Sequence, residues 1–459
     1  MPRLDFHQNP IPDLRSPRSV LSYLGSFAIR KSLPGPAVHN FLTNSKPLGR
    51  ILLLSIGKAA EEMASSAYEI LKDQIFAGII LTKYGHTSGN KFPPLEILEA
   101  GHPIPDENSI LGGKKILELC SLLQPEDTVL VLLSGGGSAL MEVPAKGFDL
   151  EDLIFWNSKL LESGAEIQDV NEVRIFLSSI KGGGLLSKIL PSRSITLILS
   201  DVIGDDLSKV ASGPTIPSRI TKDSILRIFK DYNLKMDSKF ESAFNDRAQE
   251  TIRTSKDDSL ISQSADLNQN SPSLKPTTTN KEKNAVHCIG NIGQTLESVQ
   301  KECKNLNIPV LLLSSSLTGE AKEVGYSLAS IALEKLKETT SSLLILCGGE
   351  TTVTHDGNGK GGRNQELALA FAEKISGQNG ITLFSLATDG SDGPTDAAGA
   401  IVDGTTWKKI AGYTDPKNAL RTHNSYEALK VVDSLVFTGA TGTNVNDIQF
   451  LWIDPNDER

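Results

Sequence analysis

At 459 residues the chain is too long for one ordinary hydrophobic core, so two domains are expected. Its 39% hydrophobic and 22% charged content is that of a water-soluble globular protein. A net charge of −9 excludes broad, sequence-independent nucleic-acid binding, so any phosphate must be held by a local cluster of cations. Cys120, Cys288, Cys303 and Cys347 lack CxxC spacing and read as reduced thiols, not as disulfides or a zinc site. No apolar run approaches the roughly 20 residues that span a bilayer, so no membrane partner is expected. Arg3, Arg15, Arg18 and Arg30 are interleaved with Asp5 and Asp13 and no apolar stretch follows them. A secretory signal is therefore not expected; the location reads as cytoplasmic, with a mitochondrial transit peptide as the weaker alternative.

In chain order, residues 1–45 read as an N-terminal extension and helix. The strand 50–57 (RILLLSIG) leads into a helix in which Ala60, Met63, Ala64, Ala67, Ile70 and Leu71 fall at helical spacing. Further strands follow at 76–82, 127–134 and 194–201, each running into a loop and then a helical pattern. From Arg247 to Lys283 the composition is Ser, Thr, Asn, Asp and Lys without an aromatic residue. Such a stretch buries too little apolar area to offset its ordering entropy, so 246–284 reads as a disordered insertion or linker. Strands resume at 308–314, 342–349, 381–390 and 434–444. Continuous apolar strands interleaved with helices imply an α/β fold, with parallel or mostly parallel sheets covered on both faces. The expected domains are 46–245 and 285–459.

In open α/β sheets, ligands bind beyond the carboxyl ends of the strands, so the residues there are the candidates. Lys58 opens the first clear helix, and Arg363 opens the helix that follows the glycine-rich loop 346–366. A cation in a helix's first turn faces the positive end of the dipole. Each is either a solvated side chain or a partner for a bound anion. Ser134, Gly135, Gly136, Gly137 and Ser138 follow the most apolar strand and suit an anion nest, or simply a turn. Lys181 precedes three glycines and reads equally as a phosphate contact or as part of a helix C-cap. Gly349, Glu350 and Thr351, at the mouth of the glycine-rich loop, join the phosphate-binding set. Asp201 and Asp389 end strands, where a carboxylate either shapes a turn, holds Mg²⁺ or accepts a proton from an attacking hydroxyl. His102 reads as a rim residue and His355 as solvated. No Walker A loop, hydrolase elbow or HExxH is present, and no GxGxxG follows the first strand.

Together the strings GKAAEEMA, GHPIPDENS, LLSGGGSALMEVP, VNEVRIFLSSIKGG, LSDVIGDDLSKVASGPT, GGETTVT, GKGGRNQELAL, TDGSDGPTDAAGAIVDG and TGATGTNVND are far more specific. They resemble the class of glycerate 2-kinases that carry a C-terminal MOFRL domain, in order from Leu52 to Asp447, lapsing only in the polar insertion. The resemblance implies two α/β/α three-layer domains, Rossmann-like and MOFRL-type, with an active site in the cleft between them. It implies transfer of the ATP γ-phosphoryl group to the 2-hydroxyl of D-glycerate, with Mg²⁺; the choice of the 2-hydroxyl rests on the resemblance alone. Lys58 and Arg363 match the family's active-site cations, and Asp201 its SDV aspartate. The third glycine of SSIKGGGLL and the insertion depart from the family pattern.

The expected mechanism places the triphosphate on residues 134–138, with Lys58 and Arg363 bridging the transferred group and the glycerate carboxylate. Asp201 is base or Mg²⁺ ligand, and Asp389 a further metal or ribose contact. A homodimer is compatible with the resemblance. Two alternatives compete: an NAD(P)H-dependent hydroxypyruvate reductase, against which the lack of a GxGxxG directly after a strand speaks, and a non-catalytic metabolite binder.

Overall fold

The computed structural model describes residues 4–6, 12–204, 206–218, 220–254, 284–354 and 359–456. Packing divides the chain into two units: Gly35–Ile198 with Asp206–Ile289, and Met1–Pro34 with Leu199–Asp205 and Gly290–Arg459. The chain therefore does not divide at a single boundary. The helix Pro17–Ser32, expected to precede the first domain, contributes Val20, Leu21, Leu24 and Ile29 to the core built on Leu296, Phe384 and Phe450. Its apolar stripe outweighs its position in sequence.

The first of these units is built on β1 (Ile51–Ile56), β2 (Ile75–Lys83), β3 (Leu95–Ala100), β4 (Thr128–Leu133), β5 (Arg193–Leu199) and β6 (Asn284–Gly290). They lie in the order β3-β2-β1-β4-β5-β6. The pairs β1–β2, β2–β3, β1–β4 and β4–β5 are parallel. Every residue of β1 and β4 is buried, as their unbroken apolar runs require of strands covered on both faces. The helix Ala60–Leu71 covers β1 and β2 through Ala60, Met63, Ala64, Ala67 and Leu71. Winding proceeds outward from β1 in one direction and from β4 in the other, which creates a topological switch point between them. The loops after β1 and β4 flank that point.

The other unit holds β7 (Val310–Leu317), β8 (Leu343–Gly349), β9 (Ile381–Ala387), β10 (Gly399–Asp403), β11 (Leu435–Val436) and β12 (Asp447–Ile453). Their order is β11-β10-β9-β12-β8-β7. Only β7 and β8 pair in parallel; β12 runs antiparallel to both β8 and β9, and β10 antiparallel to β9 and β11. The mostly parallel order expected of the chain holds in the first sheet, and this second sheet departs from it. Burial on both faces makes a strand apolar whichever way it runs, and all seven residues of β12 are buried.

The helix Ser238–Thr254 extends into the polar segment expected to be disordered; the rest of that segment, 255–283, lies outside the described residues, as does His355. No disulfide joins the four cysteines, and burial pushes the thiols of Cys120, Cys303 and Cys347 up to about 12. Among the described residues no helix is long and apolar enough to cross a membrane.

Candidate active site

At the switch point, β1 ends in Gly57, whose φ of 128° is open only to glycine. A Cβ there would sit 2.2 Å from Ser134 Oγ and 2.5 Å from the Ser134 carbonyl. That close approach lets the two loops stitch together. The Lys58 amide donates to the Gly135 carbonyl at 2.9 Å, and the Ala59 amide donates to Ser134 Oγ at 3.0 Å. The Ser134 hydroxyl is thus an acceptor for the chain entering the helix Ala60–Leu71. Ser138 Oγ lies 2.8 Å from Ser212 Oγ. The amides of Gly135, Gly136 and Gly137 find no acceptor among the described residues. Three consecutive donors without an acceptor fit either the anion nest or the plain turn that the glycine run suggests.

Gly136 has a φ of 87°, and a Cβ on it would meet the ring of His102 at 3.1 Å and the Lys58 stem at 3.3 Å. The structure therefore brings Lys58, His102 and the glycine nest together. From sequence His102 is a rim residue, and the structure sets its ring beside Gly136. Its position two residues beyond β3 was the signal, because the strand-end rule applies to β3 as much as to β1.

Lys181 has a different fate. Its side chain is 3% exposed and is paired with Glu142, itself 2% exposed. Burial lowers the lysine's pKa and Glu142 opposes that shift. The pair accounts for Lys181 without a ligand, so its phosphate-binding reading loses its ground. Lys181→Ala is expected to destabilise the protein by about 3–5 kcal/mol, since it strands a buried carboxylate. In urea melts the companion variant Lys181→Met/Glu142→Gln should recover much of the loss. Equal losses in both variants would count against the pairing.

In the unit built on β7–β12, the helix Arg363–Lys374 begins after Gly362. Its first free amides, of Asn364 and Gln365, donate to the Asp392 carboxylate at 3.0 and 2.9 Å. A Cβ on Gly362 would lie 2.3 Å from Asp392 Cγ, so glycine makes the approach feasible. This buried carboxylate answers the positive end of the helix dipole. The helix dipole at Arg363 therefore has a partner within the chain, so it gives no separate ground for a bound anion there. Burial raises the Asp392 carboxyl, and the two amides and Arg363 oppose it.

Arg363 itself is gripped from two sides. Nε and Nη2 donate to Asp447 at 2.5 and 3.0 Å, and Nη1 donates to Glu350 at 2.6 Å. Burial works against the guanidinium charge, but Asp447, Glu350 and Asp392 more than offset it and raise its pKa. Burial lifts the Asp447 carboxyl above the usual carboxylate range, and Arg363 pulls it back. Glu350, placed with the phosphate contacts from sequence, instead holds the cation, as its own negative charge favours.

Gly349 needs its bare backbone, since a Cβ would fall 2.1 Å from the Leu317 carbonyl. Thr351 Oγ1 is buried and has no hydrogen-bond partner among the described residues. Asp201 accepts from Asn444 Nδ2 at 3.3 Å. Asp389 accepts from the Ser391 amide at 3.1 Å through its side chain and from the Thr441 amide at 3.4 Å through its carbonyl. Both aspartates thus border the loop before β12. Asn444 in that loop and Asp447, the first residue of β12, were not singled out from sequence, although they stand in the string TGATGTNVND. Among the described residues no three or more His, Cys, Asp or Glu side chains converge to hold a metal. Asp201 and Asp389 offer hard carboxylate oxygens, the donor type Mg²⁺ takes one or two of when phosphates supply others.

The family model described as a domain of unknown function (DUF4147) matches residues 20–245, and the MOFRL family model matches residues 343–447. The chain is 40% identical to the D-glycerate 2-kinase of Thermotoga maritima, over 87% of this chain and 90% of that one. It is 37% identical to a putative hydroxypyruvate reductase of Agrobacterium vitis, over 95% of each. The crystal structure of a glycerate kinase from Thermotoga maritima matches with a TM-score of 0.79 and 39% identity, over 94% of this chain and 97% of that one. Likeness at this level runs through both units and both matched family regions, and the chain belongs to the glycerate 2-kinases of the MOFRL class.

Proposed function

We propose that the protein transfers the γ-phosphoryl group of ATP to the 2-hydroxyl of D-glycerate, giving 2-phosphoglycerate and ADP. The observation that carries this reading is the 40% identity to a D-glycerate 2-kinase along nearly the whole of both chains. The residues supply a consistent chemistry. Phosphoryl transfer needs positioning and neutralisation of charge more than covalent catalysis. The free amides of Gly135, Gly136 and Gly137 cradle phosphate oxygens, with Ser134 and Ser138 fixing that loop. Lys58 and Arg363 carry the positive charge for the transferred group and the glycerate carboxylate.

The 2-hydroxyl oxygen forms the new bond to phosphorus, the bond to the β–γ bridging oxygen breaks, and ADP leaves with that electron pair. The hydroxyl proton passes to a carboxylate, for which Asp201 is the candidate. The hydrogen bond from Asn444 favours the ionised form of Asp201, the form that a base or a metal ligand requires. Mg²⁺, held by Asp201 or Asp389, would neutralise phosphate charge.

A reductase reading has one specific support, the likeness to a putative hydroxypyruvate reductase. Against it, β1 runs into Gly57 and Lys58 with no GxGxxG to take a dinucleotide. The test is incubation with D-glycerate, Mg²⁺ and ATP, with products resolved by ³¹P NMR. The kinase reading requires 2-phosphoglycerate. Formation of 3-phosphoglycerate would overturn the position of transfer. Loss of NAD(P)H absorbance with hydroxypyruvate, and no phosphorylated product, would replace the kinase by the reductase.

A further inference from the structure

Three carboxylates surround one guanidinium at Arg363, and they are not equivalent. Asp447 grips it through two parallel hydrogen bonds and is 1% exposed at its side chain. Asp392 is buried at the start of the helix Arg363–Lys374 and acts on Arg363 through its charge. Glu350 makes one hydrogen bond, and its side chain is 42% exposed against 32% for Arg363. With all three carboxylates in place, an incoming anion would meet an excess of negative charge at the only cation among them. The arrangement suits anion binding only if one carboxylate withdraws.

Glu350 is the one built to do so. Its backbone is pinned, because its amide donates to the Leu317 carbonyl at 2.8 Å and the Thr352 amide donates to the Gly319 carbonyl at 2.9 Å. Gly349 is locked against the same strand by its close approach to Leu317. The side chain alone can swing into solvent, and a half-exposed ion pair resists that only weakly. Asp447 cannot follow, since withdrawing it would bare a buried carboxylate.

We propose that the Glu350 carboxylate is a displaceable stand-in for the anionic oxygens of a substrate on Arg363, while Asp447 is the permanent clamp that orients the guanidinium. Asp447 is thus a positioning residue and Glu350 a competing one, both acting through Arg363. The inference rests on the reading of Arg363 as an active-site cation. The ligand chemistry is a pair of anionic oxygens, from the D-glycerate carboxylate or from a phosphoryl group of ATP.

The experiment is steady-state kinetics of the full chain and of Glu350→Gln, Asp447→Asn and Arg363→Ala, varying D-glycerate and MgATP separately. Glu350→Gln keeps the size and removes the competing charge. It is expected to lower one KM by about twofold to fivefold with kcat nearly unchanged, the range set by a weak, half-exposed ion pair. A fall in KM for D-glycerate identifies the carboxylate as the displaced partner's rival; a fall for MgATP identifies a phosphoryl group. Asp447→Asn is expected to lower kcat with a smaller change in KM. An unchanged or raised KM for both substrates in Glu350→Gln, with Arg363→Ala inactive, overturns the inference and leaves the role of Arg363 standing. Wild-type kcat in a folded Arg363→Ala overturns the underlying reading instead.

Discussion

Lys58→Ala is expected to lower kcat by about 10²–10⁵-fold, the range for loss of a charge that acts on a transition state. The fold should survive. What ties the β1 loop to the β4 loop is the Lys58 amide on the Gly135 carbonyl and the Ala59 amide on Ser134 Oγ, and neither bond uses the lysine side chain. Lys58 is half-buried, so the thermal midpoint should move by only a few degrees. The measurement is kcat and KM for both substrates beside circular dichroism and a melting curve. A KM that rises alone would mean that Lys58 binds ground state and transition state equally. Wild-type kcat in a folded variant would remove Lys58 from the chemistry. Lys58→Arg should restore little, because a planar guanidinium does not reproduce the compact ammonium beside Gly136 and His102.

That Lys58 could be singled out from sequence follows from how local its setting is. An apolar run, a glycine and the start of an amphipathic helix lie within a few residues, and the parallel order around β1 and β4 puts the two glycine loops side by side. Arg363 carries the same local signal, but the partners that hold it do not. Its partners stand 84 positions away in Asp447 and 13 away in Glu350, and the helix dipole is answered by Asp392, 28 positions from Asn364. No periodicity encodes such pairings. They arise because β12 is inserted antiparallel between β8 and β9, with Asp447 opposite both Gly349 and Ala387. An apolar strand buried on both faces carries no mark of its direction, so the register that delivers Asp447 to Arg363 was invisible. Lys181 failed for a related reason: Glu142, which neutralises it, lies 39 positions away.

Arg363→Ala should lose activity and stability together, for separate reasons. Turnover is expected to fall by about 10²–10⁵-fold with the loss of the cation. Stability is expected to fall by about 3–5 kcal/mol because Asp447 keeps its buried place and loses its partner. The second effect carries a sign in pH. Burial already lifts the Asp447 carboxyl, and without Arg363 nothing pulls it back, so its folded pKa stands well above the unfolded value. Below the unfolded value, about pH 4, the group is neutral in both states and the variant suffers little from it. As pH rises above that, the unfolded chain ionises first, and the variant loses stability until the folded pKa is passed. The wild type, its own Asp447 lifted to about 7, loses stability alongside the variant up to that pH, so urea melts should show the gap to wild type widening above about pH 7. In Arg363→Ala/Asp447→Asn the carboxylate is gone, so the widening should vanish and about 2–3 kcal/mol should return at neutral pH. Turnover should not return with it, because an orienting clamp has no use without the group it orients. A double variant no more stable than Arg363→Ala would mean that the stranded carboxylate is not what destabilises it, and recovered turnover would mean that Arg363 serves the fold and not the reaction.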